Sequence, residues 1–336
     1  MSKCDLQILF ERPERTYKFG EPVSGMVKIS AREDFQCRKL TLIREWKTGG
    51  RGNHASGGEE GIIFAEEQEF HADETREYPF RFVGLAGPVS YQGHYLNVNW
   101  QLRARADIPL AVDVKQEEKF FLVAAEASEK ILLGSEGPLK NLPETSGELE
   151  ERMTMAKTLA IPFFVIGLIM ISVSGWYPLA LVIGLAVASF GGWHIFLMIR
   201  NKLAQEKAGE IEVLIQPEEL RAGNSVECKV SLPSSHAAKL QKITATLKGE
   251  EKVISGIGNH KTTHAHTIYE QAVEQADSNA VPGDNKMQFI FSWQIPAKAP
   301  STFRAPDNAL LWLVRVQLDI RDWPDWVQEF GIIVLP

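Results

Sequence analysis

The chain has little of what usually announces a chemistry. Its three cysteines, Cys4, Cys37 and Cys228, are odd in number and far apart, which excludes a disulfide framework and fits free thiols in a reducing compartment. Positive charge is not in excess: 36 Lys and Arg against 43 Asp and Glu leave a net charge of −7, and an acidic chain repels nucleic-acid backbones. No His-Glu-x-x-His run, nucleophile elbow or Cys-x-x-Cys pair occurs. Neither catalysis nor a cofactor is expected. The opening MSKCDLQILFERPERTY has only a short apolar patch followed by charge, so no signal peptide is expected. The loop GGRGNHASGGEEG holds Gly50-x-Gly52-x-x-Ala55, a loose dinucleotide fingerprint. That motif needs a strand before it and a helix after it, and more glycines follow instead, so it reads as a flexible hairpin loop.

What is present begins with length. At 336 residues, 44% hydrophobic and 24% charged, the chain has the size and composition of two globular domains and something more. The surplus lies in the middle. LAIPFFVIGLIMISVSGW (Leu159 to Trp176) and PLALVIGLAVASFGGWHIFLMI (Pro178 to Ile199) contain no Asp, Glu, Lys or Arg. As helices they would reach about 27 and 33 Å, close to the roughly 30 Å of a bilayer core. SGWYP between them supplies a turn, and basic residues flank only the outer ends, Arg152 and Lys157 before and Arg200, Lys202 and Lys207 after. The expectation is a transmembrane helical hairpin over 158–200, making an integral membrane protein with both remaining arms cytoplasmic. Ala180, Gly184, Ala188 and Gly192 recur every fourth residue, a small-residue stripe for close helix packing.

Around this centre the two arms read as strands in matching order. In the first, Val23, Gly25, Val27 and Ile29, and then Trp100, Leu102, Ala104, Ala106 and Ile108, alternate with polar residues, as one face of a strand does. In the second, Trp312, Val314, Val316, Leu318 and Ile320 repeat that face. Gly20 aligns with Gly223, Val27 with Val230, Lys39 with Lys242, Trp100 with Trp312 and Arg103 with Arg315. The expected architecture is all-β: a sandwich over 1–125, a polar linker over 126–157, the hairpin over 158–200, and a second sandwich over 208–336.

The motifs that carry this order resemble a known family. YKFGEPVSGMVKIS followed by KLTLI resembles the opening of an α-arrestin N-domain, and YPFRF with GHYLNVNWQLRARADIP and EEKFFLV is similar to its closing strands. ELRAGNSVECKVSL, FSWQIPAKAPSTF, LLWLVRVQLDI and FGIIVLP resemble the arrestin C-domain. The resemblance implies two tandem immunoglobulin-like sandwiches acting as a non-catalytic adaptor or scaffold for cytoplasmic segments of partner proteins. These residues include no proline-rich ligase-binding motif, so ligase recruitment is not expected to carry over.

Two side-chain groups are candidates for more specific roles. Arg12, Arg15 and Lys18 near the first strand could hold an acidic or phosphorylated tail, against an ordinary solvated face interleaved with Glu11 and Glu14. His260, His264 and His266 have a spacing that can bind zinc or copper. The lack of Cys and of a second ligand cluster favours a solvated loop or edge strand there. The expected partners are the lipid bilayer, segments of other proteins and a second copy of the chain through the small-residue stripe, with no nucleic acid. The competing expectations are an oligomeric scaffold at the membrane surface and a His-rich metal sensor.

Overall fold

Alternate side chains of a strand point to opposite faces, and a face made of Val, Ile, Leu and Trp must find a second sheet to cover it. That requirement builds each half of this protein. The computed structural model describes residues 3–83, 87–109, 111–124, 161–172, 178–207, 211–217, 219–233, 240–275, 281–282, 286–321 and 326–336.

In the first half, β1 (Cys4–Phe10), β3 (Val23–Ala31) and β6 (Thr75–Phe82) form one sheet in the order β1-β3-β6. Facing it are β2 (Thr16–Lys18), β9 (Val114–Val123), β8 (Leu96–Asp107), β4 (Phe35–Gly50) and β5 (Ser56–Phe70) in the order β2-β9-β8-β4-β5, with β7 (Tyr91–Gln92) also on β8. The second half repeats the plan. β10 (Glu212–Gln216), β12 (Ser225–Pro233), β16 (Lys286–Gln294) and β15 (Val281–Pro282) form one sheet, in the order β10-β12-β16-β15. The other runs β11 (Glu219–Arg221), β19 (Trp326–Leu335), β18 (Asn308–Ile320), β13 (Leu240–Ser255) and β14 (Thr262–Gln275), with β17 (Phe303–Ala305) on β18.

The repetition reaches individual bonds. The Trp100 indole donates to the Pro88 carbonyl at 2.6 Å, and the Trp312 indole donates to the Pro300 carbonyl at 3.0 Å. The Leu122 amide donates to the Ser90 hydroxyl at 3.0 Å, and the Val334 amide to the Thr302 hydroxyl at 2.9 Å. Gly20 and Gly223 turn the chain at φ +84° and +85°, a backbone region that glycine adopts without steric cost. Two separate cores result: Trp100, Leu102, Ala104 and Ala106 lie in the first, Trp312, Val314, Val316 and Leu318 in the second. The three cysteines are buried and unbridged, and burial pushes their thiols up to about 12, 11 and 12 for Cys4, Cys37 and Cys228.

The centre of the chain corrects the sequence reading. Residues 161–172 form helix α1 and Pro178–Lys207 form α2. Among the described residues no helix is long and apolar enough to cross a membrane. The twelve described residues of α1 reach about 18 Å at 1.5 Å per residue. Helix α2 runs past its apolar stretch into Arg200, Lys202, Glu206 and Lys207. The transmembrane hairpin, the fold class that included it and the integral-membrane placement are therefore overturned. The expected linker 126–157 and the turn at 173–177 lie outside the described residues. The two helices do meet closely: a Cβ on Gly167 would strike Ala188, one on Gly184 would crowd Ile171 and Met170, and Gly192 faces Phe164. The Ala180 side chain is outside the described set. Away from this contact Leu179, Val182 and Trp193 are exposed.

Candidate functional site

The inward phase of β13 runs Leu247, Gly249, Glu251, Val253, so strand geometry alone sends a carboxylate where a hydrophobic residue is usual. Its surroundings come from both halves. Strand register places Tyr91, Val98 and Thr48 in one row of the first half. It places Phe303, Leu310 and Glu251 in the equivalent row of the second. The two rows belong to one junction, where Leu96, Val98, Val253, Phe303 and Leu310 form a third buried cluster with Trp46 and Tyr95 packed against it. Trp46 meets Phe303 edge-on at 5.5 Å.

Glu251 is 0% exposed and takes four hydrogen bonds from the first half. The Tyr91 hydroxyl (2.7 Å) and the His94 amide (2.9 Å) donate to Oε1. The Tyr95 amide (2.6 Å) and the Leu96 amide (3.1 Å) donate to Oε2. Burial by itself raises this carboxyl. The bonds from Tyr91 and the three amides outweigh it and hold Glu251 below its usual value. Burial, then the bond to Glu251, pushes the Tyr91 phenol up. With two donors on each oxygen, the carboxylate has its acceptor capacity committed to the junction, which suits a lock and not an acid or base.

A second strap comes from the glycine-rich hairpin between β4 and β5. The Asn53 amide donates to the Ile254 carbonyl at 2.8 Å, and its side chain donates to the Gly256 carbonyl at 2.9 Å and Asp307 at 2.8 Å. Asn308 donates back to the Asn53 carbonyl at 2.7 Å. A Cβ on Gly52 would strike Asn308 and Val253, which is the physical need for glycine in this loop. The loop therefore binds the other half of its own chain. At the rim, His94 stacks on His266 with centroids 4.4 Å apart.

Of the residues singled out from sequence, His266 lies at the rim of this junction and Arg12, Arg15 and Lys18 lie on the first half. Arg12 pairs with Glu21 at 2.8 Å and lies over the Tyr17 ring, and Arg15 pairs with Glu118 at 2.6 Å and lies over Phe10. Lys18 donates its backbone amide to the same Glu21. His264 bonds Ser255 at 2.9 Å, His266 joins the rim stack and His260 ends a 3-10 turn, so the three do not converge. Among the described residues no group of three or more His, Cys, Asp or Glu could hold a metal ion. Arg103 reaches the buried Glu45 at 3.5 Å, and Asp107 pairs with the exposed Arg38 at 3.4 Å. Sequence alone does not single out Glu251, because the strand signal QKITATLKG stops at Gly249. Carrying the alternation on to Val253 exposes a carboxylate in a core phase.

No family model matches the chain, and no curated protein matches it. Among solved structures it is similar to the crystal structure of Spo0M, a sporulation control protein from Bacillus subtilis. That similarity has 8% identity and a TM-score of 0.33, over 98% of this chain and 91% of that one.

Proposed function

We propose that the chain is a non-catalytic adaptor or scaffold, arrestin-like in the order of its strands, that binds segments of partner proteins on a platform made of both sandwiches. The supporting observation is the junction. Glu251 is buried and saturated by donors from the opposite half, so the sheet faces and edges of the two halves are carried in a fixed relation. Strand edges bind extended segments through main-chain bonds and need few special side chains. Fixed spacing between two such edges raises the effective concentration of the second contact once the first is made.

Affinity purification of the full chain from its native source, with native mass spectrometry of the eluate, tests this. A stoichiometric protein complex is expected, and its yield should fall for Glu251→Thr. Recovery of the chain alone, or a complex indifferent to Glu251→Thr, contradicts the platform reading.

A further inference from the structure

Sheet edges left open invite pairing, and folded proteins guard them with proline, charge, bulges or cover. Most edges of this molecule are guarded. β6 carries Pro79 and β15 carries Pro282. β5 has Glu59, Glu60, Glu66, Glu67 and Glu69 and two register shifts against β4. β14 has Glu270, Glu274 and a shift at Gly249/Glu250. β1 lies against β9 at the side of its sandwich.

β10, the counterpart of β1, differs from them. Its sequence EVLIQ has no proline, and its single charge, Glu212, is paired with Lys286 at 2.5 Å. Among the described residues it pairs only with β12, in an unshifted ladder from Glu212↔Ser231 to Gln216↔Glu227. Val213 and Ile215 pack against the core, while Leu214 on the outer face is 52% exposed. A shallow groove of about 770 Å³ lies over the outer face of β10, β12 and β16, lined by Leu214, Gln216, Ser225, Glu227 and Ser292 among others, and leaves the far edge of β10 clear.

We propose that β10 pairs antiparallel with β10 of a second copy of this chain, joining two second-half sheets into one. The strand is self-complementary about Leu214. A two-fold axis there sets Leu214 against Leu214, Val213 against Ile215 and Glu212 against Gln216, so no like charges oppose and each copy keeps its apolar pair on the core side. A five-residue ladder covers less than the roughly 1,600 Å² of a standard stable interface, so the dimer depends on concentration. The inference is independent of the adaptor reading, and its failure would leave that reading standing.

The test is Leu214→Cys in the full chain under mild glutathione oxidation, followed by sedimentation velocity of the wild type and of Leu214→Lys. The native thiols are buried, so background cross-linking is low. A disulfide-linked dimer is expected for Leu214→Cys and not for Leu9→Cys, at the exposed position of β1. Leu214→Lys, which puts two ammonium groups on the axis, should weaken dimerisation at least tenfold. No cross-link at 214, equal cross-linking at 9, or self-association unchanged by Leu214→Lys, as expected if the exposed helices drive it, overturns the proposal. So does capture of another protein's strand at β10 in place of the second copy.

Discussion

The two halves share strand order, the Trp-to-Pro carbonyl bond and the positive-φ glycine, yet they treat one row of side chains oppositely. Where the first half has Arg44, facing Leu102, the second has Leu247, facing Val314. Arg44 is 7% exposed and lies 5.3 Å and 5.5 Å from the Phe82 and Trp100 rings. Its Nη2 pairs with Glu60 at 2.6 Å, and its Nε and Nη1 have no hydrogen-bond partner among the described residues. Where the first half has Thr48, closing its own hairpin on Ala55, the second has Glu251 reaching across the junction. The sandwich requires neither charge, since each is absent from the sister half. One is left partly unsatisfied, and the other is saturated and holds the halves together. Context decides whether a buried charge costs or secures.

The comparison can be broken at graded cost. Glu251→Thr gives the second half the first half's residue and strands the donors of Tyr91, His94, Tyr95 and Leu96. Each buried donor left unsatisfied costs roughly 1–3 kcal/mol, so the set is worth about 3 kcal/mol or more and thermal unfolding of the variant should show a lower and broader transition. Acid does the same reversibly. The Glu251 carboxyl is depressed in the folded state, so its contribution is complete above the ordinary carboxylate value of about 4.3 and is lost as pH falls through the lower folded value. Urea midpoints measured downward from pH 5 should therefore fall, and the fall should be smaller in Glu251→Thr.

Arg44→Leu makes the first half like the second and has the opposite sign. Burial lowers the Arg44 basicity, and replacing a buried, poorly paired charge with a packed apolar residue is neutral or stabilising by about 1–2 kcal/mol. Denaturant unfolding should show an unchanged or higher midpoint. Trp100→Phe and Trp312→Phe each remove one indole donor from a proline carbonyl. Similar losses, about 1–2 kcal/mol each, are expected in both halves, and unequal losses would show that the repeated bonds are not equivalent. Gly20→Ala and Gly223→Ala should be smallest. Both stand at φ +84° and +85° with open space within 4 Å of where a Cβ would project, so only backbone strain remains, roughly 1 kcal/mol each by thermal unfolding.

Much of the sandwich architecture was legible because period-two alternation is a local signal. Trp312 to Ile320 showed their buried face in the sequence, and the Gly20/Gly223 and Trp100/Trp312 pairs showed the repeat. The central apolar runs misled because their length alone suggested spanning helices, whereas among the described residues no helix is long and apolar enough to cross a membrane and α2 continues into charge. The junction was illegible for a different reason. Glu251 is recognised by backbone amides some 155 residues away, which have no sequence signature, and Asn53 sits in a loop whose glycines read as flexibility. Those glycines were the available signal, since they permit the close approach that Gly52 makes to Asn308.

Amide hydrogen exchange at His94, Tyr95 and Leu96 tests the Glu251 lock most directly. In the wild type these amides should exchange as slowly as the strands of the two cores. In Glu251→Thr they should exchange at least about a hundredfold faster while both cores stay protected, as the loss of roughly 3 kcal/mol or more requires. Fast exchange at these amides in the wild type, or the same protection with and without the carboxylate, would contradict the account.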